Sequence, residues 1–520
     1  MSAPVLAGYA NEAYTDFALP ANRQHQQQAI AAVRRELGRD YDNWIAGRPA
    51  RSGQWLDSVN PSLPSERIGR HAKASAAQAA EAVADAYDFF PEWANTPVEE
   101  RIAVLARAAA LLRERKATFN AWMILEAGKS FAEAEADTAE AIDFCEYYAH
   151  QMRRFAHPEP IVQLPGERNE MVYLPLGVGV VIPPWNFPLA ILAGTAVSAL
   201  VCGNTVVLKP SSETPIIAAK FVQLLHEAGL PARALQLCVG SGSEVGDALV
   251  LHPKTRFVSF TGSREVGLRI NELAARPAPG CIWIKRVVAE MGGKDAIVVD
   301  EDCDLEAAAT GVVQSAFGFQ GQKCSACSRA IVHYAVYEPF LALIKAKTEA
   351  LTLGAADNPA NAMGPVISAK ARQTIAGYIE TGKKEGRLLT GGDVVPSEGY
   401  FLTPTVFADV DRGARIFQEE IFGPVLAVTP ARSFDHALEL ANDSDYGLTG
   451  AVYTLDPANL EKARRRFHVG NLYLNRKCTG AMVGAHPFGG FNMSGTDSKA
   501  GGPDYLLQFL QAQSIAERIL

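Results

Sequence analysis

The sequence predicts an α/β fold built on parallel β-sheet. Between residues 177 and 290, short apolar runs such as VGVVIP, NTVVLKP and RFVSFTG alternate with helical stretches. Runs of this kind are typical of strands that are covered on both faces of a parallel sheet. We therefore expect a doubly wound unit here and a second βα series after residue 290. Such sheets bind ligands at the carboxyl ends of their strands, so the loops after the runs are the candidate functional segments.

Length and composition exclude several classes of protein. The chain has 520 residues, of which 48% are hydrophobic, and this favours two or three domains. Its formal net charge of −8 argues against a nucleic-acid partner and against a polybasic membrane surface. We predict neither a secretory signal nor a membrane span. The eight cysteines are scattered, which indicates reduced thiols in a cytoplasm rather than a disulfide framework.

The segments before the sheet are predicted to be largely helical. Residues 1–40 are polar and rich in Gln, Ala and Arg, and we expect an N-terminal helical arm. An Ala-rich helix is expected at about 72–90. The next helix is expected to start with Thr96 as its N-cap, Pro97 in the first turn and Glu99 completing a capping box. It is expected to continue to the glycine of EAGKS.

Residues 160–175, PIVQLPGERNEMVYLP, predict a β-hairpin. Two short extended runs flank a Pro-Gly pair. An isolated hairpin is marginally stable in water and needs a packing partner. We therefore expect this segment to be an arm that makes contacts in an oligomer.

The segment GFQGQKCSACSR, residues 318–329, contains the candidate nucleophile. A lone CxxC is weak evidence for metal, because structural zinc needs four ligands and no second pair is present, so we predict no metal site. From spacing alone, three alternatives stay open: a nucleophile, a redox pair, or two inert residues. Cys324 follows Lys323 among small polar residues, which favours an accessible nucleophile. Cys327 precedes a predicted strand, which favours a small core residue.

Two other polar residues lie in loops that could carry chemistry. Glu290 precedes Gly292 and Gly293, and it is either a solvated carboxylate or a general base for water. Asn186 lies in PPWNFP, where a strand ends and a helix starts, and it is either a helix cap or an oxyanion donor. The loop FTGSREVG, residues 260–267, can present backbone N–H groups to a phosphate at a helix start.

Taken in order, the motifs resemble those of the NAD(P)-dependent aldehyde dehydrogenase superfamily. They are PWNFP (184–188), LKP (208–210), FTGS (260–263), E-x-GGK (290–294), GQ-x-C (321–324), EEIFGP (419–424) and PFGG (487–490). Within the superfamily, the segments GFQGQKCSA, EAIDFCEYYA and HVGNLYLNRKCTGAMVGAHPFGG resemble those of the subfamily that oxidises L-glutamate γ-semialdehyde. The resemblance implies oxidation of that aldehyde, which arises from 1-pyrroline-5-carboxylate, to L-glutamate with reduction of NAD(P)⁺, a step of proline degradation.

The resemblance also implies roles for individual residues. Cys324 matches the nucleophile that attacks the aldehyde, Glu290 matches the base that activates water, and Asn186 matches the oxyanion donor. The residues that match cofactor contacts are Ile182, Pro184, Trp185, Lys209, Ser212, Gly242, Gly262, Ser263, Gly292, Glu420 and Phe422. The residues that match substrate contacts are Lys323, Ser325, Gly480, Ala481, Phe488 and Glu140.

The resemblance implies an aldehyde dehydrogenase-like architecture with a Rossmann-like cofactor domain, an α/β catalytic domain and a β-hairpin oligomerisation arm. We expect the NAD(P)-binding domain at 41–155 and 176–289, and the catalytic domain at 290–495. The oligomerisation segments are expected at 156–175 and 496–520. The implied partners are the small-molecule semialdehyde and further copies of the chain, in a dimer or larger assembly.

Three places depart from the common pattern of the superfamily: Ser212, Cys327, and Phe491-Asn492, where relatives often have a lysine. Ser212 stands where many relatives have a glutamate that favours NAD over NADP. A serine tolerates a 2′-phosphate better, so the expected cofactor is NAD with NADP as an alternative. Cys327 stands where a small residue would serve, and we hypothesise that oxidation links it to Cys324.

Overall fold

The computed structural model describes residues 9–519. Its α-helices are α1 (Pro20–Arg34), α2 (Ala76–Asn95), α3 (Val98–Glu114), α4 (Lys116–Ala127), α5 (Phe131–Phe155), α6 (Ala190–Val201), α7 (Pro215–Glu227), α8 (Asp247–Leu251), α9 (Arg264–Ala275), α10 (Leu305–Phe317), α11 (Tyr337–Glu349), α12 (Ala369–Glu385), α13 (Arg415–Gln418), α14 (Phe434–Asn442) and α15 (Pro457–Arg466). Its strands are β1 (Arg39–Tyr41), β2 (Asn43–Ile45), β3 (Arg48–Ala50), β4 (Trp55–Asn60), β5 (Leu63–Ala72), β6 (Glu167–Pro175), β7 (Val178–Ile182), β8 (Thr205–Leu208), β9 (Leu235–Leu237), β10 (Thr255–Thr261), β11 (Arg286–Glu290), β12 (Asp295–Val299), β13 (Cys327–His333), β14 (Arg387–Thr390), β15 (Thr405–Ala408), β16 (Val425–Ala431), β17 (Tyr446–Gly447), β18 (Thr449–Tyr453), β19 (Asn471–Leu474), β20 (Phe491–Asn492) and β21 (Leu510–Arg518).

The first large sheet has seven strands in the order β11-β10-β7-β8-β9-β2-β3. The strands from β11 to β9 run parallel, and β2 and β3 add antiparallel pairs at one edge. All four residues of β8 are buried, and α6 is buried along almost its whole length. A strand covered on both faces needs apolar side chains on both, which explains the unbroken Val and Leu runs. The predicted α/β class is confirmed.

The second large sheet has the order β14-β15-β16-β13-β12-β18-β19. Its neighbouring strands are parallel, except that β14 pairs antiparallel with β15. Strands β12 and β18 are buried at every position. The first residue of β13 is Cys327, so the CxxC segment leads directly into the centre of this sheet.

The hairpin predicted for 160–175 is replaced by a pairing between distant segments. Strand β6 pairs antiparallel with β21 from Glu167–Arg518 to Pro175–Leu510. Within the predicted hairpin region, Glu159 and Met171 form a single isolated bridge. A long partner strand from the chain's end offers a nine-residue ladder, whereas the short run before Pro165 offers few hydrogen bonds.

The helix predicted from Thr96 to the EAGKS glycine is two helices, α3 and α4. Arg115 breaks it, with φ −106° and ψ 20°, and its guanidinium pairs with Glu227. The predicted capping box is wrong: Pro97 occupies the N-cap position, and no side chain caps the helix. Gly128 ends α4 in the left-handed conformation that glycine adopts most readily.

Part of the predicted N-terminal arm, residues 1–8, lies outside the described residues. Of the rest, 9–19 is irregular and 20–34 forms α1. Within residues 9–519, no helix is both long and apolar enough to span a membrane.

Candidate active site

A cavity lined by α5, the end of β11 and the segments around Cys324 and Gly480 contains two of the three predicted catalytic residues. Cys324 and Glu290 line it. All six residues predicted to contact substrate also line it: Lys323, Ser325, Gly480, Ala481, Phe488 and Glu140. These residues come from segments as far apart as 140 and 488, so only the folded chain assembles them.

The turn before Cys324 is an unusual piece of backbone. Phe319, Gln320 and Gly321 all have positive φ, with values of 49°, 56° and 66°. Such a run is costly for residues that carry a side chain and persists only where the surroundings hold it. The Gln320 amide donates to the Pro365 carbonyl at 2.6 Å, and the Gln322 side-chain oxygen accepts from a backbone N–H at 2.9 Å. The two glutamines of the GFQGQKC motif thus fix the turn that presents the cysteine.

The Cys324 thiol is held in its protonated form by its environment. Burial raises its pKa well above the ordinary value, and the charges of Asp295, Glu420 and Glu290 raise it further. A thiol of this kind needs a base or a nearby positive charge before it can act as a nucleophile. Glu290 is the candidate base, because it lines the cavity and its charge acts on the Cys324 thiol.

Glu290 is the last residue of β11, and it is half-buried. One oxygen accepts from the Ser498 hydroxyl at 2.6 Å, and the other accepts from the Gly490 backbone N–H at 3.3 Å. Desolvation raises its pKa to about 7, although these donors favour the charged form. A carboxylate with this pKa can both accept and return a proton near neutral pH, which is what general base catalysis requires.

The Asn186 side chain is buried beside the cysteine turn. Its amide nitrogen donates to the Gln322 carbonyl at 3.0 Å, two residues before Cys324. An amide group carries two N–H donors, so this contact fixes its position and uses one of them. The amide therefore lies where it can also donate to an oxygen bound next to Cys324.

The residues predicted to contact the cofactor cluster at the carboxyl ends of parallel strands in the first sheet. Ile182 ends β7, and Pro184 and Trp185 follow it. Lys209 and Ser212 follow β8, Gly242 begins a helical turn after β9, and Gly262 and Ser263 follow β10. The Trp185 ring contacts the Phe422 ring edge-on at 5.5 Å, which brings the EEIFGP motif of the second sheet to the same edge.

The donors at this edge fit a dinucleotide. The Lys209 ammonium is buried, desolvation lowers its pKa to about 8, and its Nζ donates to the Pro210 carbonyl at 3.3 Å. An ammonium has three donors, so capacity is left for ribose hydroxyls. The Ser263 hydroxyl caps α9, whose first N–H groups suit an anion. A Cβ on Gly292 would overlap the Glu420 carboxylate, so any other residue there would displace this acid from its present position.

The 479–484 loop forms one wall of the cavity. Gly480 has φ +79°, a conformation that other residues adopt at a cost. The Arg476 guanidinium donates to the Gly480 carbonyl at 3.1 Å, and the Met482 N–H donates to His486 Nδ1 at 3.1 Å. Glycine loops of this kind bind anions through backbone N–H groups.

The cavity also contains buried charges from α5. Lys323 pairs with Glu133 at 2.7 Å, so its charge is already partly balanced. Burial, and then the charge of Asp137, raise the pKa of Glu140 to about 8. Glu133, Glu140 and Asp143 recur at helical spacing on one face of α5. That spacing was the available signal for Glu133 and Asp143, which the motifs did not identify. Tyr14 lines the cavity with no sequence signal at all.

Cys327 is buried at the start of β13. Its thiol donates to the Arg329 carbonyl at 3.4 Å and is in hydrogen-bond contact with the Cys478 thiol. Cys478 in turn donates to the Ser325 carbonyl at 3.4 Å. The cysteines are all free thiols in the part of the chain that the structure describes. Linkage of Cys327 to Cys324 by oxidation stays a prediction.

Comparisons with known proteins place these features in a family. Residues 48–515 match the Aldehyde dehydrogenase family. The chain is 58% identical over 509 residues to the 1-pyrroline-5-carboxylate dehydrogenase of Geobacillus thermodenitrificans, covering 98% of this chain and 99% of that protein. It is similar to the structure of 1-pyrroline-5-carboxylate dehydrogenase from Thermus with bound NAD, with a TM-score of 0.97, 49% identity and full coverage of both chains. Betaine aldehyde dehydrogenase from Staphylococcus aureus in complex with NAD⁺ has a TM-score of 0.88 and 29% identity, covering 94% of this chain and 96% of that one.

Proposed function

This chain belongs to the aldehyde dehydrogenase family, and we propose that it oxidises L-glutamate γ-semialdehyde to L-glutamate with NAD⁺. The observation that carries the proposal is one cavity that contains both Cys324 with Glu290 and the 479–484 loop. The first pair supplies the chemistry, and the loop supplies a site for a carboxylate. The relatives named 1-pyrroline-5-carboxylate dehydrogenase support this substrate, since its open form is the semialdehyde.

The reaction starts with deprotonation of the Cys324 thiol. Glu290 is the base that receives the proton, because its pKa of about 7 leaves a substantial share of carboxylate at neutral pH. The thiolate attacks the aldehyde carbon and forms a hemithioacetal whose oxygen carries the negative charge. The Asn186 amide and the Cys324 backbone N–H donate to that oxygen.

When bound, NAD⁺ would supply the acceptor for the hydride that leaves the hemithioacetal carbon on Cys324. Cys324 is then acylated as a thioester. Glu290 first releases the thiol proton to solvent and then removes a proton from water, which attacks the thioester carbon. The C–S bond breaks, L-glutamate leaves, and the Cys324 thiolate takes the proton back from Glu290 to regenerate the thiol. Lys209, Ser263, Glu420 and Phe422 would hold the cofactor, and Ser212 leaves NADP⁺ as an alternative to NAD⁺.

The 479–484 loop binds the α-carboxylate of the semialdehyde, which is attached to the carbon that bears the amino group. Backbone N–H groups of Gly480 and Ala481, with the Ser325 hydroxyl, bind it without a bulky side chain. Phe488 packs on the aliphatic part of the substrate. Lys323 and Glu140 also line the cavity, and their charges act on the amino and carboxylate groups of the substrate.

The chain functions as a homo-oligomer in the cytoplasm. The β6–β21 arm supports the oligomer, because Leu174, Ile515 and Ile519 are exposed apolar side chains on it. The free thiols support a reducing compartment. The NAD(P)-binding domain comprises 41–155 and 176–289, and the catalytic domain comprises 290–495.

The test is cofactor reduction with 1-pyrroline-5-carboxylate, followed by the absorbance of the reduced nicotinamide. NAD⁺ and NADP⁺ are compared in parallel, and succinate semialdehyde, glutarate semialdehyde and acetaldehyde form the substrate panel. A clear preference for 1-pyrroline-5-carboxylate in kcat/KM supports the proposal. Equal or faster turnover of another aldehyde contradicts the substrate, and no reduction with any aldehyde contradicts the enzymatic function.

A further inference from the structure

Residues 9–17 cross the mouth of the cavity, and we call this segment the N-terminal strap. It is irregular, and it lies between α5 on one side and the 479–484 loop on the other. Neither the sequence motifs nor the mechanism above uses it. Its contacts nevertheless reach two walls of the substrate cavity.

Asn11 connects the two walls with a single amide group. Its nitrogen donates to the Asp143 carboxylate on α5 at 2.9 Å and to the Val483 carbonyl of the loop at 3.0 Å. Asp143 and Val483 both line the cavity. The backbone N–H of Glu12 donates to the second Asp143 oxygen at 2.6 Å, so this carboxylate holds the strap by two residues.

The strap is also fixed farther along its length. The Lys116 ammonium donates to the Ala13 carbonyl at 2.9 Å and pairs with Glu12 and Glu135 at 3.1 Å and 2.8 Å. The Thr15 N–H donates to Glu135 at 2.8 Å. These bonds involve buried or partly buried side chains, so they are less weakened by solvent than surface pairs.

Tyr14 reaches across the mouth from the strap to the loop. Its hydroxyl donates to the Met482 sulfur at 3.4 Å, and both side chains line the cavity. Its side chain is 54% exposed, so it lies at the rim rather than in the core. The ring therefore narrows the opening through which an aldehyde enters.

We propose that the N-terminal strap is part of the substrate site, with Asn11 as a positioning residue for the loop and Tyr14 as a specificity residue at the mouth. This inference rests on the proposed function. Without Asn11, the loop loses its bond to α5 and samples conformations that do not bind a carboxylate. The apparent affinity for carboxylated aldehydes falls in proportion to the fraction of molecules in which the loop is in its carboxylate-binding conformation.

The first variant is Asn11→Ala, with Gln24→Ala on the exposed face of α1 as the matched control. We expect the KM for the semialdehyde to rise about fivefold, the effect of one lost hydrogen bond. The values of kcat, the KM for NAD⁺, and kcat/KM for butanal, which has no carboxylate, stay within about twofold. Equal effects on both aldehydes, a change in kcat alone, or no change would overturn the role of Asn11.

The second variant is Tyr14→Ala, which removes a rim side chain and spares the core. We expect kcat/KM for benzaldehyde to rise about fivefold relative to the semialdehyde, because the mouth opens. An unchanged ratio would overturn the role of Tyr14, and this test stands even where Asn11→Ala does not fold. If the wild-type enzyme oxidises butanal but not the semialdehyde, the proposed function fails instead, and kcat/KM for benzaldehyde relative to butanal in Tyr14→Ala then decides the role of the rim.

Discussion

The floor and the mouth of the cavity are built in opposite ways. The floor carries Cys324 and Glu290, which lie at or beside the ends of strands in the two large sheets. The mouth is formed by the N-terminal strap and the 479–484 loop, which are irregular and joined by side-chain hydrogen bonds. Packing of the two sheets therefore positions the catalytic side chains, whereas a few polar contacts position the residues that recognise the substrate. Changes in the floor should therefore act on kcat, and changes in the mouth on KM.

The largest effect is expected at Cys324. Replacing it with alanine removes the only group in the proposed mechanism that bonds to the aldehyde carbon. We expect kcat to fall by more than about 10³-fold, with the KM for NAD⁺ little changed. The measurement is steady-state reduction of NAD⁺ with the semialdehyde. Residual activity within about tenfold of wild type would place the nucleophile elsewhere.

Glu290→Gln is the next largest change in the floor. An amide of nearly the same shape keeps an oxygen for one of the two donors, the Ser498 hydroxyl or the Gly490 N–H, but cannot act as the base. We expect kcat to fall by about 10²-fold or more. The wild-type kcat should rise with pH through about 7, since the base works only when it is ionised. This rise of kcat with pH should be absent in the variant. If it persists, a group other than Glu290 is responsible for it.

Gly480→Ala tests the mouth. The left-handed backbone at Gly480 is unfavourable for alanine by roughly 1–2 kcal/mol, so the loop should shift. We expect the KM for the semialdehyde to rise about tenfold, with kcat within about threefold. Gly38→Ala is the matched control, because Gly38 also has φ +79° but lies in open space. A fall in kcat with unchanged KM would contradict the expectation that changes in the mouth act on KM.

The smallest effect is expected for Cys327→Ala. This residue lies behind the floor, and its thiol contacts Cys478 and the Arg329 carbonyl. We expect activity within about twofold of wild type and a modest loss of stability. The assay is the same steady-state reaction, with thermal unfolding measured in parallel. Loss of activity as large as in Cys324→Ala would instead support a redox function for the CxxC pair.

The sequence predicted the sheets better than the irregular parts, for physical reasons. Buried parallel strands need continuous apolar runs, and those runs are local and visible. The β6–β21 pairing was missed because the two strands lie far apart in the sequence, and no local pattern distinguishes a hairpin from a strand with a distant partner. The break at Arg115 was missed because the residues around it favour helix, and its ion pair with Glu227 forms only in the folded protein.

The predicted and the missed residues of the active site also differ in how much their neighbours in the sequence reveal. Cys324, Glu290 and Asn186 lie in turns with glycine or proline neighbours, and such turns leave motifs that can be recognised. Asn11 and Val483 are 472 positions apart, and nothing near either one indicates the contact.

The most direct test of the account is to trap the acyl enzyme. Glu290→Gln is mixed with NAD⁺ and 1-pyrroline-5-carboxylate, quenched in acid, and analysed by intact and peptide mass spectrometry. We expect one glutamyl group per chain, on the peptide at Cys324, because the thiol of the variant can still lose its proton slowly to solvent, whereas hydrolysis of the thioester needs Glu290 to activate water. A label on Cys327 or another residue, or full turnover with no trapped intermediate, would contradict the assignment of nucleophile and base.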